Sequence, residues 1–125
     1  MDVTISREAR ESFSILNISG SLPQASGFLL GHKRGHRFYI EKILNTGKDL
    51  SSLISRFYEV DRLCDGLIVG FFTSLPDQNT LNKVLAPFSC GMLLVKVIPQ
   101  EKKPAIEAYM IDYEGEFILT PLPIK

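Results

Sequence analysis

The residues best placed for chemistry lie in "TSLP", Thr73 to Pro76, a loop that follows the apolar run "GLIVGFF". A loop leaving a buried strand is where an α/β protein usually carries its site. Ser74 there has a hydroxyl, but the GxSxG elbow of a serine hydrolase is absent and no histidine is near in sequence. His32 and His36 stand four apart in "GHKRGH", a spacing that suits two metal ligands on a helix. The flanking glycines argue for a turn instead. That turn also lies roughly 23 Å of extended chain from Gln24, at about 3.3 Å per residue, too far to serve the loop. Lys33, Arg34 and Arg37 make a small basic patch at the same turn, beside Phe38 and Tyr39. Such a patch can touch phosphate, and an adjacent ring can stack on a base. In a strand, however, Phe38 and Tyr39 face opposite ways, so one belongs to the core. Cys64 and Cys90 have no catalytic neighbours in sequence and read as two buried free thiols.

The elements that position these groups follow from periodicity. Ala9, Phe13 and Leu16 share a face of a helix from Ser6 to about Asn17, capped by Ser6. "ASGFLLG" and "HRFYIEKIL" read as strands of a hairpin turning at "GHKRG". Leu50, Leu53, Ile54 and Phe57 mark an amphipathic helix from Asp49 to about Val60. "GLIVGFF" is a central strand covered on both faces. Asp77 can cap the next helix, whose inner stripe is Leu81, Val84, Leu85 and Phe88 and whose end is marked by Pro87. "GMLLVKVIP", "AIEAYMID" and "FILTPL" complete the strands. "AIEAYMID" reads as half exposed, with Ile106, Ala108 and Met110 on one face. As an apolar strand late in the chain, it is a candidate edge for pairing with another chain, and so is the last strand, blunted by Pro121 and Pro123. Phe57, Tyr58, Tyr109 and Phe117 are candidates for either core or interface.

The order predicts an α/β fold: one domain over residues 1–125, a single mixed β-sheet flanked by helices. With 125 residues, 45 % of them hydrophobic and 22 % charged, the chain matches an ordinary globular domain. Lysine and arginine total 14, and so do aspartate and glutamate, so the net field points to neither nucleic acid nor a membrane surface. No apolar run nears the roughly 20 residues of a membrane span, and the first residues do not resemble a signal peptide. A cytoplasmic location is the expectation.

Three stretches together resemble the MPN domain, also called JAMM or JAB. "QASGFLLGHKRGHRFYIEKILNTG" (Gln24 to Gly47) is similar to that family's opening hairpin, with Asn45 at its later position. "IVGFFTSLP" (Ile68 to Pro76) is similar to its signature "vGwyHSHP", and "MLLVKVIP" (Met92 to Pro99) to the strand after the motif helix. The resemblance implies an MPN/JAMM-like, cytidine-deaminase-like architecture. Active members hold zinc through the two histidines of "HSHP" and an aspartate eleven residues beyond its proline, with a glutamate before the first strand as general base. Carried over by position, the histidines become Thr73 and Leu75, the aspartate Pro87 and the glutamate Gln24. Ser74 and Pro76 persist, and a serine of the motif helix becomes Val84.

Catalytic zinc generally needs three protein ligands from His, Cys, Asp or Glu. Leu75 has no donor atom, Pro87 only a carbonyl, and Thr73 is a poor ligand. Without zinc, nothing lowers the pKa of a bound water from about 15.7 towards 7. The Gln24 amide takes no proton at neutral pH. The expectation is therefore no zinc hydrolase or isopeptidase activity, no metal and no cofactor. The resemblance implies a non-catalytic interaction module whose partner is a protein, either a second copy in a homodimer or another MPN domain, with neither nucleic acid nor membrane as partner. Leu75 and Val84 are candidates to fill the vacated site. Two alternatives stay open. A small-ligand binder or an enzyme could reuse the cleft through a polar pocket of Gln24, Thr73, Ser74, Asp77 and Asn79. Nucleic acid could bind the basic turn.

Overall fold

The computed structural model describes residues 1–74 and 78–125. Among them the chain forms seven strands and four α-helices in one mixed α/β domain. The strands are β1 (Asp2–Ile5), β2 (Ser26–Arg34), β3 (Arg37–Asn45), β4 (Ile68–Thr73), β5 (Leu93–Ile98), β6 (Ala105–Tyr113) and β7 (Phe117–Leu122). The helices are α1 (Arg7–Ile18), α2 (Leu50–Ile54), α3 (Phe57–Leu63) and α4 (Gln78–Val84). No helix among the described residues is long and apolar enough to cross a membrane.

The sheet order is β1-β3-β2-β4-β5-β6-β7. The β2–β3 hairpin and the β2–β4, β5–β6 and β6–β7 pairs are antiparallel, while β1–β3 and β4–β5 are parallel. The sheet curls until the tail after β7 meets β1. The Val3 N–H donates to the Pro123 carbonyl at 3.0 Å, and the Lys125 N–H donates to the Val3 carbonyl at 2.8 Å.

Because side chains alternate along a strand, an unbroken apolar run serves both faces. Leu29, Phe72, Leu93 and Val95 point to the side covered by α1, where Phe13 meets Phe72 edge to face at 5.3 Å. Phe28, Phe71 and Leu94 point to the other side, under α2, α3 and α4. Phe57 of α3 gathers Phe28, Phe71 and Phe88 there. Ser6 caps α1, accepting from the Ala9 N–H at 3.0 Å. β2 lies so close to β3 that two of its residues must be glycine. A Cβ on Gly27 would sit 1.9 Å from the Leu44 carbonyl oxygen, and one on Gly31 would sit 1.8 Å from that of Tyr39.

Several expectations are corrected. β1 adds a strand where none was expected. The helix expected from Asp49 to Val60 breaks at Ser55–Arg56 into α2 and α3. The hairpin strands run further than "GHKRG" suggested, so the turn is Gly35–His36. β6 is no edge: it lies between β5 and β7, and Ile111 is fully buried on the face opposite Ala108. Cys90 is exposed and Cys64 half buried, so the thiols are not both interior. Burial still pushes the Cys64 thiol up, helped by Asp61 and Asp65. Of the four aromatic candidates, Phe57 is core, Tyr58 is exposed, and Tyr109 and Phe117 are half buried.

Candidate functional site

β2 begins where β4 ends, since Ser26 pairs with Thr73 in the antiparallel register. The 3-10 turn Leu22–Gln24 leads into β2, and the turn Gly47–Asp49 leads from β3 into α2. The loop after β4 leads into α4. The two 3-10 turns, the end of β4 with Ser74, and the start of α4 border a cleft of about 380 Å³ at one end of the sheet. Gln24, Thr73, Ser74 and Asn79, four of the five expected pocket residues, line it. Asp77, with Leu75 and Pro76 of the motif, lies outside the described residues.

Thr73 and Ser74 are 5 % and 3 % exposed. The Ser74 Oγ has no hydrogen-bond partner among the described residues. Ser89, the other buried serine, shows the usual treatment: its Oγ accepts from the Ala86 N–H and bonds to the Val84 and Ala86 carbonyls. A buried hydroxyl left unpaired costs about 1–3 kcal/mol. Ser74 therefore carries a local penalty that Ser89 avoids, and it carries it on the wall of the cleft.

The remaining motif positions do not join this site. Val84 is 1 % exposed and packs in the core under α4, so it does not plug the cleft. Pro87 opens a 3-10 turn and lines a separate hollow of about 430 Å³ with Cys90, Tyr113 and Phe117.

Sequence reasoning missed Ser26, Lys48 and Ser51, which also line the cleft. Ser26 Oγ donates to the Gly47 carbonyl at 2.7 Å, and Lys83 of α4 donates to Ser51 Oγ. The signal available was the polar "GKDLS" after β3, which the hairpin register returns to the start of β2.

The hairpin tip is built differently. Arg37 donates to both Asp2 carboxylate oxygens, at 2.7 and 3.0 Å. This bond is the main cause holding the Asp2 carboxyl below its ordinary value, and the same pairing raises Arg37. The Lys33 ammonium lies 5.2 Å from the centre of the Phe38 ring. His32 stacks on Tyr39 and has its Nδ1 2.9 Å from a Glu41 carboxylate oxygen. Of the three basic residues, Arg34 alone has neither an ion pair nor a ring contact among the described residues. His32 and His36 join no potential metal cluster among the described residues.

No protein-family model and no curated protein matches the chain. Among solved structures 96 chains match. One is the solution structure of protein DSY2949 from Desulfitobacterium hafniense, a structural-genomics target. It aligns with a TM-score of 0.60 at 14 % identity, over 98 % of this chain and 92 % of the other. At that identity the likeness concerns the fold alone.

Proposed function

We propose that this chain is a non-catalytic MPN-like domain that works in the cytoplasm as a protein–protein interaction module. One observation carries the reading. Gln24 and Thr73, where the family resemblance puts the general base and a zinc ligand, face one cleft and can fill neither role.

Partner binding then falls to the surface. The tail bonded to β1 covers one sheet edge, which turns attention to α1. Ile15 and Ile18 of α1 are 65 % and 79 % exposed. Ile15 borders a shallow hollow with the half-buried Leu16 and Ile43. A second copy of this chain is the proposed partner, docking by this apolar face.

Elemental analysis and light scattering on one sample test the proposal. The expected result is no stoichiometric zinc and a mass twice the 14.0 kDa of the chain, returning to 14.0 kDa in Ile18→Lys. Bound zinc at one per chain would overturn the non-catalytic reading. A wild-type monomer would overturn self-association.

A second reading, a small-ligand binder at the same cleft, is favoured by the unpaired Ser74 hydroxyl. Nucleic-acid binding at the hairpin tip is disfavoured, because Asp2 and Phe38 already engage two of its three cations.

A further inference from the structure

We infer that the cleft between the start of β2 and the end of β4 binds a small anion, a compact molecule bearing a carboxylate or phosphate group. The Ser74 hydroxyl would hold it from within and the Lys48 ammonium from the rim. This rests on the second reading, the cleft as a ligand site, and is independent of self-association.

Size comes first. About 380 Å³ lies within the range of small-molecule sites, near its lower end, and so fits a compact ligand. Donor chemistry comes next. The described lining offers hydroxyls, the Gln24 and Asn79 amides and one ammonium, with no carboxylate. Among the described lining residues a cationic ligand would meet a like charge in Lys48 and no carboxylate, whereas an anion would meet an attraction. Lys48 is exposed and has no ion pair among the described residues, so its charge is not already committed.

The hydroxyls are not equivalent. Ser26 spends its proton on the Gly47 carbonyl and presents only lone pairs. Ser51 accepts from Lys83, which leaves its own proton free to donate. Ser74 is 3 % exposed and unpartnered among the described residues. A ligand oxygen is the partner it lacks, and hydrogen bonds to a charged acceptor are the strong ones. Ser51, Ser74 and Lys48 thus line one space with three donor-bearing side chains, the Ser74 Oγ itself buried in the cleft wall, and an oxyanion requires such donors.

The test is a ¹⁵N NMR titration of the intact chain at constant ionic strength, with sodium phosphate, sodium acetate and neutral glycerol as separate probes. The expected result is saturable movement of the Ser26, Gly47, Lys48 and Ser74 amides with phosphate or acetate. Affinity should fall roughly tenfold or more in Ser74→Ala and in Lys48→Gln, and stay unchanged in Arg34→Gln. Both cleft variants should fold, since one truncates an exposed side chain and the other removes an unpaired hydroxyl. Which anion moves the signals distinguishes a phosphate ligand from a carboxylate one. Saturation by glycerol alone would overturn the anion and spare the ligand site. No saturation by any probe would overturn both. Shifts confined to Arg34 and Arg37, or unchanged affinity in both cleft variants, would also overturn the proposal.

Discussion

At one end of β2, Arg37 is locked to Asp2, His32 to Glu41, and Lys33 lies over Phe38. At the other end, Ser74 has no partner and Lys48 no ion pair among the described residues, and both line one cleft. The tip has more charge and the cleft has less, yet the cleft is the better candidate site. Polar groups that satisfy one another hold a structure together. Polar groups left wanting along a cavity wall are available to something else. Counting charges in the sequence would have ranked the two regions the other way.

The largest effect should come from the strand that joins them. Gly27→Ala drives a Cβ into the Leu44 carbonyl near the cleft, and Gly31→Ala does the same against Tyr39 towards the tip. Each should cost more than about 3 kcal/mol in urea unfolding, beyond the usual range for overpacking, because backbone cannot step aside as a side chain can. A loss under 1 kcal/mol would mean that β2 and β3 can part without consequence, and the two ends would not be rigidly related.

Ser74→Ala should act in the opposite sense, raising stability by about 1 kcal/mol by removing an unpaired buried hydroxyl. Ser89→Ala should lower stability, since it strips partners from the Val84 and Ala86 carbonyls. If both serines behave alike in thermal unfolding, the contrast between satisfied and wanting groups fails. Sites that need an unsatisfied group commonly sacrifice stability for it.

The smallest effect belongs to the tip. Asp2→Asn weakens the tie to Arg37, and the partial exposure of these half-buried side chains limits the loss. The Asp2 carboxyl titrates lower in the folded chain than in the unfolded one. Its contribution is therefore complete above the unfolded value of about 3.9 and lost as pH falls through the lower folded value. The gap in thermal midpoint between wild type and Asp2→Asn should close with acid below about pH 4. A gap that widens with acid would reverse the sign assigned to this pair.

Much of this was legible in the sequence where local signals agree. Ser6, Ala9 and Phe13 gave α1 its start and its face, and the long apolar runs gave β4 and β5. β1 was not legible, because four residues with two buried side chains, Val3 and Ile5, make too short an alternation to register. The break between α2 and α3 carries no glycine or proline; tertiary packing of Leu50, Ile54 and Phe57 on the sheet imposes it. In the site, Gln24, Thr73 and Ser74 could be grouped because the resemblance aligned them with one motif, and Asn79 because it follows the same loop. Lys48 and Ser51 could not, since their place depends on the β2–β3 register and not on any spacing in the chain. Val84 misled for a related reason. One residue position on a helix decides between cleft and core, and an ungapped alignment does not resolve it.

The bonds between Val3 and the tail also set an order of events. They join β1 to Pro123 and Lys125, far along the chain. The β2–β3 hairpin and the parallel side of β1 can form while the rest of the chain is still being made. The outer side of Val3 has to wait for Pro123 and Lys125, and loop-closure entropy makes so distant a contact slow to find. A nascent chain thus carries an open β1 edge until Pro123 and Lys125 have been made.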